Sequence, residues 1–392
     1  MKIVFRCDAS LVMGTGHVMR CLTLADALTL RGAECEFICR DHMGNMISHI
    51  ESLGYRVHTL ASASFNKDDI SNTGEVSSAL ESELAHSHWL GCSQAQDAEQ
   101  CLQALAGQTF DWLVVDHYAL DHTWEVRFNA QVKQIMVIDD LADRRHQCDV
   151  LFDQNYYGDA AAERYLQKGL EKGLEKGLVQ DTTTLLLGPE YALIRPEYRE
   201  LRENLILEKE TREKAFDNAG KIERVLVFLG GSDPDDVTGK VVAGLCRDEF
   251  TSVSFDVVVG VNYAYKHELA ASTENRGNIY IHCGLPSLAG VMSECDLMIG
   301  AGGSTSWERM CLGLPALITC IAENQREYTY ALARDEFLML LPDAKELLPD
   351  QVADALLLCM KNNIKLKVMS LKGMSLVSGL GLESVCECLF GD

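Results

Sequence analysis

The strongest constraint on this chain is a repeated alternation that breaks off once and starts again. Short, apolar, β-branched runs ("KIVFR", "CEFICR", "WLVVDH", "IMVIDD") are separated by helical patterns such as "HVMRCLTLADALTLRG" and "AEQCLQALAG". Continuous apolar runs spaced by helices predict βαβ units with a parallel sheet covered on both faces. Gly32 suits the stop of the first helix. The stretch "LLLGPEYALIRPEY" predicts a strand and a proline-marked turn that close the first half, and the charged run "ELRENLILEKETREK" reads as a helical connector. The alternation then resumes with "ERVLVFLGG", "SFDVVVG", "NIYIHC", "CDLMIGAGG" and "LPALITC". The predicted fold is therefore α/β. An N-terminal α/β domain is expected over 1–205 and a second over 206–392, with the last helix free to pack back on the first. Ligands of such sheets bind beyond the carboxyl ends of the strands, and two facing halves would set the site in a cleft.

With 392 residues and 47% hydrophobic content, the chain can bury two ordinary cores. A formal charge of −23 repels phosphate backbones and anionic lipid, which argues against nucleic-acid and membrane partners. The N-terminus has too short an apolar run for a signal peptide, and no run approaches the roughly 20 residues that span a bilayer. Fifteen cysteines without metal spacing predict buried thiols in a reducing cytoplasm. A monomer is expected.

Two segments interrupt the pattern. Residues 61–84 are polar and read as a loop or insertion. "LQKGLEKGLEKGLVQ" repeats KGLE with period four, but Gly169, Gly173 and Gly177 would each cost a helix about 1 kcal/mol, so a surface insertion is expected.

Chemistry concentrates at the turns that follow strands. "MGTGHVMR" carries Gly14 and Gly16 into His17 at the mouth of a helix: either a plain strand-to-helix turn or the seat of a catalytic base. In "AGGSTSWERMCLGLPAL", Gly302 and Gly303 allow close backbone approach, the amides near Ser304 and Thr305 suit a diphosphate, and Glu308 could accept from a ribose diol. The plainer reading makes Glu308 a capping-box carboxylate. Gly231 and Ser232 of "FLGGSDPDD" form a second glycine turn, whose Asp233, Asp235 and Asp236 read better as helix caps than as cation ligands. Asp116, His117 and Tyr118 follow one strand and would point to the rim of His17. Asp139 and Asp140 follow another, and an ion pair with Arg144 or Arg145, or a cap, fits them better than a metal. Asn324 and Gln325 of "AENQ" offer an amide pair that can read hydroxyl or acetamido groups. The remaining histidines, His86 and His88 among them, lack recognisable spacing.

As an ordered set, "DASLVMGTGHVMRCLTLA", "VVDHY", "VIDDLADRRHQCDVLFDQN", "LLLGPEYALIRPEY", "VFLGGSDPDD", "GAGGSTSWERMCLGLPAL" and "AENQ" resemble one family. It is the UDP-2,4-diacetamido-2,4,6-trideoxy-β-L-altropyranose hydrolases of pseudaminic acid biosynthesis, the route to flagellin glycosylation. The glycine turns also look like those of MurG-type glycosyltransferases. The resemblance implies a GT-B architecture, two Rossmann-like domains with parallel sheets facing a central cleft. It implies water attack at the anomeric carbon with inversion and release of UDP, with no metal and no cofactor. It gives His17 the role of base, matches Tyr118 and Asn324 to active-site positions, and matches Gly302–Thr305 and Glu308 to the UDP site. The chemistry is consistent: UDP is a good leaving group, glycine turns can neutralise its charge, and a helix N-terminus disfavours the imidazolium of His17. A glycosyltransferase and a non-catalytic nucleotide-sugar sensor are the alternative readings.

Overall fold

A computed structural model describes residues 1–62, 84–167, 177–211, 221–231 and 233–391. The chain forms two compact units. One comprises Met1–Gln154, Asp159–Leu187 and Glu383–Asp392; the other comprises Asn155–Gly158 and Gly188–Leu382.

In the first unit, β1 (Lys2–Cys7), β2 (Glu34–Arg40), β3 (Arg56–Leu60), β4 (Phe110–Asp116), β5 (Val132–Ile138), β6 (Val150–Asp153) and β7 (Thr184–Leu187) make one sheet in the order β3-β2-β1-β4-β5-β6-β7. In the second, β8 (Arg224–Phe228), β9 (Ser254–Val259), β10 (Ile279–Cys283), β11 (Leu297–Ala301), β12 (Ala316–Thr319) and β13 (Met339–Leu340) follow the order β10-β9-β8-β11-β12-β13. Every strand pairing in both sheets is parallel. The central strands carry continuous apolar runs because helices cover both faces: Val4, Phe5, Leu113 and Val114 are fully buried in one sheet, and Val225, Val227, Leu297 and Ile299 in the other. Strand order reverses between β1 and β4 and again between β8 and β11. The crevice at the carboxyl ends of such a pair is where α/β sheets bind ligands.

Three departures from the sequence expectation have physical causes. The division falls at 187/188 rather than 205/206. The helix Pro196–Thr211 is fixed to the second unit by Arg202, whose guanidinium donates to the carbonyls of Cys311 (2.8 Å), Met374 (2.9 Å) and Val377 (3.1 Å). The apolar tail is two helices, Asn363–Leu376 and Gly381–Phe390, parted at Gly379, whose φ is 85°. Asn363–Phe390 together have the length and apolarity of a bilayer crossing, contrary to the expectation that no run approaches it. The break divides the stretch between the units, and Trp112 of the first unit donates its indole N–H to Leu389 O at 3.0 Å. The centre of the KGLE repeat, 168–176, and most of the 61–84 segment, 63–83, lie outside the described residues, as does Ser232.

Candidate active site

The turn after β1 is built before any side chain acts. Ser10 and Gly14 bridge, Ser10 Oγ accepts from the amides of Val12 and Met13, and Gly14 takes φ = 75°, a conformation that favours glycine. The helix Gly16–Leu30 starts at once, with His17 in its first turn and Arg20 three residues on, on the same face. Asp116 ends β4, paired in register with Cys7 of β1.

These elements assemble one continuous network. His17 Nδ1 meets Asp116 Oδ1 at 2.6 Å. Arg20 grips Asp116 with two bonds, Nε to Oδ2 at 2.6 Å and Nη2 to Oδ1 at 2.7 Å. It also grips Asp140, at 3.0 and 2.8 Å. Tyr118 donates its hydroxyl to Asp140 Oδ2 at 2.5 Å, and its ring lies edge-to-face with His17, centroids 4.6 Å apart. Burial alone would raise the Asp116 carboxyl, but the Arg20 guanidinium and His17 overcome it and hold its pKa far below the ordinary range. An ionised carboxylate can only accept, so Nδ1 of His17 carries the hydrogen and Nε2 is the basic nitrogen of the neutral ring.

His117 does not join this rim. It turns to the opposite side, where Nδ1 accepts from Ala119 N at 3.1 Å and Nε2 lies 3.3 Å from Asp8 Oδ2. Consecutive residues leaving a strand face opposite ways, so Asp116 and Tyr118 cannot both face His17 with His117 between them doing the same. Asp139 pairs with Arg144 at 2.9 Å and accepts from the amides of Leu141 and Ala142. Asp140 pairs with Arg20 instead of Arg144 or Arg145.

The sequence reading missed Arg20, whose one signal was its spacing from His17. It also missed the aromatic cluster on Tyr118. Trp89 stacks on that ring with centroids 5.6 Å apart, and His86 lies 4.4 Å from Trp89 and 5.4 Å from Tyr118. Nothing in the spacing of His86 marks it. Burial lowers the His86 imidazole pKa from its ordinary value.

The second unit repeats the device with a different finish. After β11, Gly303 takes φ = 121°, and the helix Thr305–Leu312 follows. A Cβ on Gly302 would lie 2.7 Å from Thr329 Oγ1 and 3.2 Å from Gln325 Oε1, so only a glycine fits beneath these side chains. The earliest amides tied within the turn are those of Ser306, to Gly303 O, and Trp307, to Ser304 O. The capping-box reading of Glu308 fails: Ser304 makes no side-chain cap, and the position that would answer it is Trp307. Glu308 lies beside Arg195 and Tyr198. Burial raises its carboxyl pKa, and these two neighbours offset only part of the rise. Among the described residues, Ser306 Oγ, Gln325 Oε1 and Thr329 Oγ1 are buried and find no hydrogen-bond partner. Asn324 is exposed in the short helix Glu323–Gln325 beside Gln325.

At the turn after β8, Gly230 has φ = 103°, and a Cβ on Gly260 would strike Gly231 O at 1.8 Å, so two glycine turns pack backbone to backbone. Asp233 accepts from the amides of Val237 and Thr238, at 2.9 and 2.7 Å, and Asp236 from that of Gly239 at 3.0 Å. Both carboxylates are therefore caps of the helix Val237–Leu245.

The architecture is that of the GT-B glycosyltransferases and their relatives. Solved structures similar over essentially the whole chain include MurG of Acinetobacter baumannii (TM-score 0.65, 12% identity, 100% of this chain and 99% of that one). A UDP complex of the Arabidopsis thaliana glycosyltransferase UGT89C1 matches with TM-score 0.63 at 13% identity, over 99% of each chain. UDP-GlcNAc 2-epimerase of Neisseria meningitidis, bound to UDP-GlcNAc, matches with TM-score 0.57 at 11% identity over the full length of both.

In sequence, the chain is similar to the UDP-2,4-diacetamido-2,4,6-trideoxy-β-L-altropyranose hydrolase of Campylobacter jejuni, 23% identical over 337 residues, 85% of this chain and 97% of that protein. The resemblance drawn from the motifs thus has a named counterpart. The chain is also similar to the spore coat polysaccharide biosynthesis protein SpsG of Bacillus subtilis (27% over 213 residues, 54% of this chain and 59% of that protein). An uncharacterized protein of Methanocaldococcus jannaschii matches at 23% over 331 residues, 83% of this chain and 57% of that protein. The chain thus spans a little under three fifths of the length of these last two relatives. No family model matches the chain.

Proposed function

We propose that this chain hydrolyses a UDP-sugar, UDP-2,4-diacetamido-2,4,6-trideoxy-β-L-altropyranose, to UDP and the free sugar by water attack at the anomeric carbon with inversion. The observation that carries the reading is the His17–Asp116 pair clamped by Arg20. Asp116 fixes the hydrogen on Nδ1, and Nε2 takes a proton from water as its oxygen bonds to the anomeric carbon and the bond to UDP breaks. Tyr118 already donates to Asp140, so its oxygen offers lone pairs to orient that water. Asn324 serves at the sugar. UDP is held by its diphosphate on the amides of the Gly302–Thr305 turn and by its ribose on Glu308. Gly14 and Gly16 admit substrate to His17, while Gly231, Ser232 and Gln325 complete the binding set. The named hydrolase relative and the two glycine turns support this reading. No step calls for a metal or a cofactor, and the reaction is placed in the cytoplasm.

A second reading, transfer of the sugar to an acceptor, is favoured by the glycosyltransferase architecture. The two are separated by incubating the purified chain with the UDP-sugar, water and EDTA but no acceptor. Hydrolysis releases UDP stoichiometrically, and NMR shows the inverted anomer of the sugar. Unreacted UDP-sugar defeats the hydrolase reading, and turnover restored only by Mg²⁺ defeats its metal-free form.

A further inference from the structure

The chain has four tryptophans. Trp112, Trp124 and Trp307 are buried, and the first two spend their indole N–H groups on Leu389 O and Asp97 Oδ1, each at 3.0 Å. Trp89 is different. It is only part-buried, and among the described residues its indole N–H meets no acceptor. The loop that carries it is nevertheless fixed: a single 3-10 turn, Ser87–Leu90, is stopped by Gly91 at φ = 73° and pinned by the buried Leu90. Trp89 lies stacked on Tyr118, 23° between ring planes, and nearly perpendicular to His17, with centroids 6.4 Å apart. Tyr118 meets the same imidazole at 85°. His17 therefore stands in a corner of two stacked rings, and His86 braces both of them.

If Nε2 of His17 activates water, the water oxygen lies about 3 Å from that nitrogen and about 3–3.5 Å from the anomeric carbon. That carbon is then at most about 6.5 Å from Nε2. The indole occupies the same shell around the base. The face of an aromatic ring carries negative charge density and no donor or acceptor. Sugar C–H bonds and methyl groups gain by lying on it, whereas a hydroxyl turned toward it loses its water without replacement. We propose that Trp89 is a specificity-determining residue: its indole seats the sugar ring and selects a face of C–H and methyl groups over a hydroxylated one. The identity of the sugar rests on the hydrolase reading above. A purely structural role gives no reason to leave this one indole partly in water, when the chain buries its other three. A ligand that covers it beside the base removes that exposed apolar area.

The test compares calorimetric affinities for UDP and for the UDP-2,4-diacetamido-trideoxy sugar, on the full chain carrying His17→Asn so that no sugar is turned over. This parent should bind the UDP-sugar more tightly than UDP. Adding Trp89→Phe keeps a ring face and should keep most of that gain. Adding Trp89→Leu keeps apolar bulk without the ring face and should lower UDP-sugar affinity about three- to tenfold, with UDP affinity and thermal melting unchanged. UDP-glucose, which carries hydroxyls where that sugar has acetamido and methyl groups, should bind little better than UDP, and equally to all three proteins. Indole emission gives a reading that does not depend on the leucine variant folding: the UDP-sugar should change it beyond the effect of UDP in the parent, and Trp89→Phe should lose that part. A leucine variant with the parent's sugar gain, or an emission change that survives Trp89→Phe, overturns the proposal and leaves the indole a cover for Tyr118. Equal weakening of UDP and UDP-sugar overturns it too, and so does UDP-glucose gaining as much from Trp89. Failure of the hydrolase reading shows separately, as no UDP release by the chain with His17 intact, and sugar binding that still depends on Trp89 would then leave the subsite standing.

Discussion

The turn after β1 and the turn after β11 are made alike: a buried parallel strand, a glycine at positive φ, a helix. They are finished in opposite ways. Around His17 each carboxylate already has its cation or donor, and one guanidinium joins Asp116 to Asp140. Around Gly302 the polar atoms of Ser306, Gln325 and Thr329 are buried and find no partner among the described residues, and Glu308 has its pKa pushed up. The set of His17, Arg20, Asp116, Tyr118 and Asp140 is bonded within itself and holds its groups in one geometry. The second turn keeps polar capacity in reserve, which suits its proposed role in taking up a ribose and a diphosphate. Chemistry needs fixed atoms; binding needs atoms whose desolvation is repaid only by the ligand.

The sharpest test of the satisfied end is His17→Asn. It keeps much of the shape and a donor for Asp116 but removes the proton acceptor. The rate constant kcat should fall about 10²–10⁴-fold with KM and thermal stability little changed. A folded variant turning over at the wild-type rate would make His17 a packing residue and end the contrast between the two turns.

Arg20 comes next. As a positioning residue it touches no reacting atom, and its loss should appear in kcat and not in KM. Arg20→Met frees Asp116 and Asp140 from each other, and misalignment of this kind costs about 10²-fold. Arg20→Lys should recover part of the loss, because it restores the charge without the two-pronged geometry. Equal effects of Met and Lys on melting alone, with kcat per folded molecule intact, would reduce the clamp to a structural ion pair.

Much of this was legible in the sequence. Strands covered on both faces are apolar runs, so β1, β2, β4, β5, β7, β8, β9, β10, β11 and β12 stand out. "RVHTL" (β3) does not, being interrupted by polar residues, nor does "VLFD" (β6), being only four residues long, and β13 has only two. The glycine turns show because positive φ and close approach demand glycine. Gly260 was invisible, since its neighbour Gly231 lies 29 residues away in sequence and meets it only in the fold. The contacts that orient His17 likewise cross 96 to 120 residues, from Arg20 to Asp116 and Asp140. The same holds for the unit boundary: the helix Pro196–Thr211 follows the first sheet in sequence, yet Arg202 binds it to carbonyls more than a hundred residues ahead.

Glu308→Gln probes the reserved end with two readouts of opposite sign. Burial raises the folded pKa of Glu308 above its unfolded value. Between those two values the folded state holds a proton that the unfolded chain has released, so stability falls as pH rises through the window. Above that window the ionised carboxylate is a net cost to the fold. The neutral amide should raise the melting temperature, by roughly 2–4 °C for each kcal/mol gained, and should remove the dependence on pH across that window. It should also weaken UDP about tenfold by calorimetry, since a charge-assisted bond to the ribose becomes a neutral one. A variant that binds UDP as before would take Glu308 out of the site.

The smallest expected effect separates the two turns most cleanly. Thr329 is fully buried, and its Oγ1 lies against Gly302 with no hydrogen-bond partner among the described residues. Thr329→Val replaces that hydroxyl with a methyl of nearly the same shape, removing a desolvated group that nothing satisfies. Stability should hold or rise by up to about 1 kcal/mol, while UDP affinity falls by a similar amount if the hydroxyl serves the ligand. Tyr118→Phe is the matched change at the other end, and there the hydroxyl is bonded. Its loss takes a donor from the buried Asp140 carboxylate and should destabilise by about 1–2 kcal/mol. Opposite signs in the two melting curves would establish that one turn is complete within the protein and the other is completed by its ligand. Destabilisation in both would mean that Thr329 is structural and that the reserve at Gly302 is smaller than its geometry implies.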